Sequence, residues 1–450
     1  MPGGLVGNGQ CIIDGAVGPS GVLANGIAPP NSVVQGPPSL VQRAVRPYST
    51  IMGLLGRLAI ARVTRAVPRT LRFIGTTAKS GEVSAGVPRP RLSFGLAAGA
   101  ALDETLLAMA LAARRFPRQA DFTRVSRELA DARDLFSHRG WIAQPSSYHR
   151  TPPALAATDV EMGRGWALGL RYERVAYDSE FSTHAREPGG ERWMSYEPNR
   201  RASAAIVRHR GEPRPWVVCV HGFSMGFPFM DFVGLQTAKL HRGLGLNVAL
   251  PVLPLHGPRK VTLLSGGPFM SFDMMNTVHG LTQAVWDIRR LISWIKDQGA
   301  TSIGLYGISL GAYVVSLLTG IEDGLDAVVA GVPAVDFPTL FHDYSPGHIR
   351  ARSIEHGILG RATDDVYRVV SPMSFEPKVA HDRRFVFAGY GDRLAFPEQA
   401  RRLWEHWEKP PISWYSGNHM GFLWSPQVGA FLRESLAASG LSYTRSADGG

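Results

Sequence analysis

Apolar and polar positions divide this 450-residue chain into unlike stretches. From about residue 165, short continuous apolar runs alternate with longer segments in which apolar positions recur every three to four residues. The runs 215–220, 247–252, 303–306, 327–330 and 384–388 read as strands, the last of them buried. Further strands are expected at about 169–177, 202–208 and 412–415. Between them, 276–296 places Val285, Ile288, Leu291, Ile292 and Ile295 on one face of a long helix, and 229–242, 312–318 and 426–438 also carry helical spacing. Strand-like runs and helical patterns are thus interleaved along this stretch.

The first 92 residues do not follow this pattern. Residues 1–49 are rich in Gly, Pro, Val and Asn without a period and read as partly disordered. Within 60–74, Arg62, Arg65, Arg69 and Arg72 recur at helical spacing, with Ile60, Val63, Val67, Leu71 and Ile74 opposite them. Pro68 is expected to kink or end this helix. Its arginines suggest peripheral contact with anionic headgroups, although a helix packed on the core, or a true start at Met52, explains the same residues. A helical N-terminal segment follows at 93–164, with 103–137 strongly helical and opening on Asp103 and Glu104.

Chemistry enters where strands end. The strand at 303–306 leads into Gly307-Ile308-Ser309-Leu310-Gly311 and then a helix. A serine held in so tight a turn presents its Oγ at the strand's C-terminal end, and only small residues fit two positions to either side. A serine nucleophile needs a histidine base and a carboxylate to orient it. Asp392 follows the buried strand 384–388 in Gly389-Tyr390-Gly391-Asp392, and His419 follows the strand 412–415 in Gly417-Asn418-His419-Met420-Gly421. Asp336, after 327–330, is the competing acid; Asp392 is preferred for its turn. Two N–H donors are expected to hold a developing oxyanion, one on Leu310 and one on Phe223 in the turn His221-Gly222-Phe223-Ser224-Met225-Gly226. His221 itself reads as a packed histidine bonding nearby backbone, and Cys219 as a small buried apolar residue.

With HGFSMG, GISLG, GYGDRLAFP and GNHMGF in this order, the chain resembles the α/β-hydrolase superfamily over roughly 165–436. The loop 254–259 is loosely similar to that after the fourth strand in esterase and peptidase-like branches. The resemblance implies an eight-stranded, mostly parallel sheet with helices on both faces. It also implies a Ser309–Asp392–His419 triad and an acyl-enzyme intermediate. Two inserts are placed to shape a pocket: an apolar, mobile loop at 253–275, and a small cap at about 337–382. A flexible tail is expected at 437–450.

Composition narrows the choice of partner. The net charge of +11 is concentrated in residues 1–92, which hold ten Lys/Arg against two carboxylates and so carry +8. The remainder is near balance and no nucleic-acid motif accompanies the charge. With Asp103 and Glu104 interrupting the most apolar run, no transmembrane helix is expected, and a cytoplasmic location, peripheral at the membrane at most, fits two cysteines in unlike settings. Histidines 342, 348 and 356 lack metal-ligand spacing, so neither metal nor cofactor is expected. The expected activity is hydrolysis of a carboxylic ester or thioester, with a small acyl ester or lipid as substrate. An acyltransferase with the same triad, or a binding protein on a hydrolase fold, are the alternatives.

Overall fold

The computed structural model describes residues 66–79, 86–88, 92–112 and 115–443. The expectations for 1–49, for the 60–65 part of the basic helix and for Met52 lie outside the described residues. In chain order the main elements begin with helices α1 (Ala66–Lys79), α2 (Phe94–Ala112) and α3 (Gln119–His138), then strands β1 (Glu161–Ala167) and β2 (Leu170–Asp178). A short helix α4 (Gly190–Met194) precedes β3 (Arg201–Val207), β4 (Trp216–Val220), α5 (Pro228–Gly234) and β5 (Asn247–Pro251). The core continues through α6 (Met274–Asp297), β6 (Ile303–Ile308), α7 (Leu310–Ile321) and β7 (Ala327–Gly331). Three short helices, α8 (Phe337–Tyr344), α9 (Gly347–Glu355) and α10 (Arg361–Tyr367), form the cap insert before β8 (Arg384–Gly389), α11 (Pro397–His406), β9 (Ile412–Tyr415) and α12 (Pro426–Ala438).

These strands make one sheet of nine, in the order β1-β2-β3-β5-β4-β6-β7-β8-β9. The six from β5 to β9 run parallel, and β3, β2 and β1 add antiparallel at one edge. The expectation of eight strands is thus one short. The missed strand is β1, whose solvent-facing residues lack an apolar run, and residue 165 falls inside it. Alternation along β4 builds the two faces: Trp216, Val218 and Val220 join one core, Val217 and Cys219 the other. Helices α6 and α7 cover the first face, α12 the second.

The sheet's order reverses between β4 and β6, because the chain leaves β4 for β5 on one side and returns to β6 on the other. A crevice therefore opens beyond the carboxyl ends of β4 and β6, the place where such sheets bind ligands.

Other expectations need correction. The 103–137 helix is two helices, separated at the segment containing Pro117. The loop 253–275 is anchored, with Phe269 fully buried against Gly280 and Arg259 paired to buried Asp287 at 2.9 Å. The tail is packed as far as Tyr443: Leu441 is fully buried against Gly304, and the Arg214 guanidinium stacks on the Tyr443 ring. Helix α1 also differs from its reading. Arg69 turns inward to the buried Glu104 at 2.7 Å, while Val67 and Leu71 are 61% and 62% exposed. Pro68 lies within the described helix Ala66–Lys79, which continues beyond it. Helix α2 is long and apolar enough to cross a membrane over Phe94–Leu111, with a third of that window buried.

Candidate active site

Ser309 links β6 to α7 with φ 56° and ψ −118°. A non-glycine residue pays roughly 1–3 kcal/mol for such a conformation, which persists only when its surroundings dictate it. Here the dictation is visible. A Cβ on Gly307 would lie 2.3 Å from the Gly311 carbonyl oxygen, and one on Gly311 would lie 2.0 Å from that of Val220. Strand, turn and helix are pressed together until no side chain fits at either position. The turn leaves the N–H of Leu310 at the open first turn of α7, with the positive end of the helix dipole behind it.

The turn after β4 closes on this serine. A Cβ at Gly222 would sit 3.4 Å from Ser309 Cβ, and Phe223 follows directly, its ring edge-on to His256 at 5.8 Å. His221 lies beneath, with Nδ1 2.8 Å from the Gly222 carbonyl oxygen and Nε2 accepting the Leu253 N–H at 3.1 Å. One neutral tautomer satisfies both contacts, so the ring serves as a structural strut between two loops.

Asp392 and His419 come together at the ends of β8 and β9. Asp392 Oδ1 accepts the N–H groups of Leu394 and Ala395, both at 2.8 Å, and Oδ2 lies 2.7 Å from His419 Nδ1. With Nδ1–H donated to the carboxylate, Nε2 carries the lone pair. Neither Nε2 nor Ser309 Oγ has a hydrogen-bond partner among the described residues, so the structure joins His419 to Asp392 and leaves the Ser309 contact unmade. Such contacts are often long in unliganded sites. Asp336 takes no part: it caps α8 by accepting the Thr339 N–H at 3.1 Å and pairs with Arg402.

The spacing of motifs gave no sign of a second carboxylate. Asp103, on α2, is fully buried. Its Oδ2 accepts the N–H groups of His419 at 2.9 Å and Arg393 at 3.0 Å, and Oδ1 accepts Asn418 Nδ2 at 2.8 Å. One side chain thereby ties the Asp392 turn to the His419 loop. The fit is close, since a Cβ at Gly99 would lie 3.0 Å from Asn418. Burial, then the nearby Asp392, push Asp103 up to about 6. Burial alone would lower His419, but Asp392 in contact and Asp103 behind it outweigh burial and hold the imidazolium above the ordinary histidine value. The signal that could have found Asp103 is its position: an acidic pair midway along an otherwise apolar helix.

Sheet order, elbow and crevice are those of the α/β-hydrolase fold. The chain belongs to the family of two Mycobacterium tuberculosis proteins, "Uncharacterized protein MT2702" (strain CDC 1551) and "Uncharacterized protein Rv2627c" (strain H37Rv). It is 42% identical to each over 357 residues, which is 79% of this chain and 85% of theirs. No family model matches. Among solved structures, acetyl xylan esterase 1 from Thermoanaerobacterium sp. aligns over 67% of this chain and 93% of its own, with 11% identity and a TM-score of 0.48. Acylaminoacyl peptidase from Pyrococcus horikoshii aligns over 64% of this chain and 43% of its own, with 14% identity and a TM-score of 0.38.

Proposed function

We propose that this protein is a serine hydrolase that cleaves a carboxylic ester or thioester through an acyl-enzyme on Ser309. The observation that carries the reading is the strained backbone of Ser309, in a turn built by close approach at Gly307 and Gly311. Packing gains nothing from that strain, whereas exposing Oγ to a substrate requires it.

Ser309 Oγ attacks the carbonyl carbon while its proton passes to His419 Nε2. Asp392 remains ionised, holds Nδ1–H and stabilises the imidazolium. The carbonyl π electrons move onto oxygen, where the N–H groups of Leu310 and Phe223 receive the charge. Collapse expels an alcohol or thiol, which takes the proton from His419. Water then attacks the acyl-enzyme with His419 as base, releasing the acid and restoring Ser309. Each step is supplied by the chain's own groups.

The test is hydrolysis of p-nitrophenyl esters of graded chain length by wild type and Ser309→Ala. The expected loss in kcat is roughly 10⁵- to 10⁶-fold. Wild-type turnover by a folded Ser309→Ala protein would overturn the assignment.

A further inference from the structure

A cavity of 1040 Å³ lies between α2, the loop at 262–273 and the cap helices α8 and α9. It is at the upper end of the volumes that hold small organic ligands. Ser309 does not line it, but its wall reaches Arg393, next to Asp392, and Tyr344, whose hydroxyl donates to the Leu394 carbonyl oxygen. A second wall residue, Phe337, stacks on Tyr313 of α7 with ring centroids 4.3 Å apart. The cavity therefore abuts both the acid's turn and the nucleophile's helix.

Its walls are of two kinds. Leu107, Ala108, Met270, Phe272, Phe337 and Leu340 make an apolar lining suited to a hydrocarbon chain. Six arginines and four carboxylates also face it. Arg69 and Arg393 both bind Glu104, Arg124 binds Asp121 and Asp273, and Asp343 lies against His342. Glu104, Asp121 and Asp273 are thus each matched by an arginine. Arg115 and Arg350, by contrast, have no carboxylate partner among the described residues. They belong to one side of the cavity, since Phe116, beside Arg115, meets the ring of His348, two residues before Arg350, at 5.7 Å. An apolar chamber with uncommitted guanidinium groups on one side matches a ligand with a hydrocarbon chain and an anionic head.

We infer that this cavity binds an acidic amphiphile, its chain against α2 and the cap and its carboxylate or phosphate on Arg115 and Arg350. The inference names a substrate class for the serine hydrolase and rests on that reading for the ester alone, because binding needs no catalysis.

Binding is measured on full-length Ser309→Ala protein by displacement of a dansyl-labelled undecanoate. Dodecanoate and dodecyl phosphate should each displace it at concentrations at least about tenfold below dodecan-1-ol, with inorganic phosphate ineffective. Comparing the two anions shows which head the arginines prefer. Arg115→Glu with Arg350→Glu should abolish the preference for anions while leaving displacement by dodecan-1-ol unchanged. Equal potency of the alcohol and the acids in wild type, or a preference that survives the double charge reversal, would overturn the inference. So would failure of the wild-type cavity to bind any chain. Loss of ester turnover with amphiphile binding intact would count against the hydrolase reading and not against this one.

Discussion

The parallel half of the sheet and the pair α1–α2 differ in what they bury: the sheet buries almost only apolar residues, whereas α2 buries two carboxylates beside Leu96, Ala100, Leu107 and Ala108. In β4 to β8 every residue is buried and nearly all are apolar. In α1 and α2 the apolar residues Val67, Leu71, Leu102, Leu106 and Met109 are exposed, while Asp103 and Glu104 are buried. The sheet gains stability from the transfer of apolar area out of water. The helix pair places carboxylates inward, which costs desolvation unless each is fully bonded. Each is: Asp103 takes three hydrogen bonds from the loops around His419, and Glu104 takes Arg69 and Arg393. On the proposed mechanism, burying charge at that cost serves to position Asp392 and His419, whose two loops Asp103 ties together.

Substitutions on the two sides of this comparison should differ in kind. On the sheet side, Asp392→Asn should lower kcat by about 10⁴-fold, because the amide no longer fixes the His419 tautomer; ester turnover by a variant of unchanged thermal stability checks this. Asp103→Asn should have a smaller effect, roughly 10- to 100-fold in kcat with KM little changed, as the His419 loop loses one of its anchors.

Asp103→Asn also carries a pH signature that mere loosening would not. His419 must be neutral to act as base, and its folded pKa is raised, so activity climbs with pH along a limb above the ordinary histidine value. Asp392 and Asp103 are the two anions that raise it. Removing one favours the neutral ring, and the limb should move to lower pH. A pH–rate profile with an unmoved limb would assign Asp103 to packing alone. The smallest effect belongs to the outward faces: Leu71→Glu and Leu106→Glu should each change stability by no more than about 0.5 kcal/mol in denaturant melts. A loss of several times that amount would mean the exposed apolar stripe is covered.

Legibility followed the same division. Ser309, Asp392 and His419 each follow a strand of the parallel sheet in a glycine-flanked turn, and that local pattern is what made them candidates. By contrast, β1 carries Glu161, Arg164 and Gly163 on a mostly exposed edge and has no apolar run to announce it. Asp103 was read as the acidic start of a helix because both faces of α2 are apolar, and periodicity cannot say which turns inward. Its partners lie about 300 residues away in sequence, at Arg393 and His419. Only tertiary structure supplies that pairing. For the same reason Arg69 was grouped with the solvent-facing arginines: helical spacing identifies a face but not what covers it.

The central claim, that Ser309 is an activated nucleophile, is tested most directly by labelling the full-length protein with a fluorophosphonate probe. Wild type is compared with Ser309→Ala, and the tagged peptide is mapped by mass spectrometry. The expected result is a single adduct on Ser309 that is absent from the variant and forms faster as pH rises through the His419 limb. A well-folded wild type that takes no label, or takes it equally after Ser309→Ala, would contradict the claim.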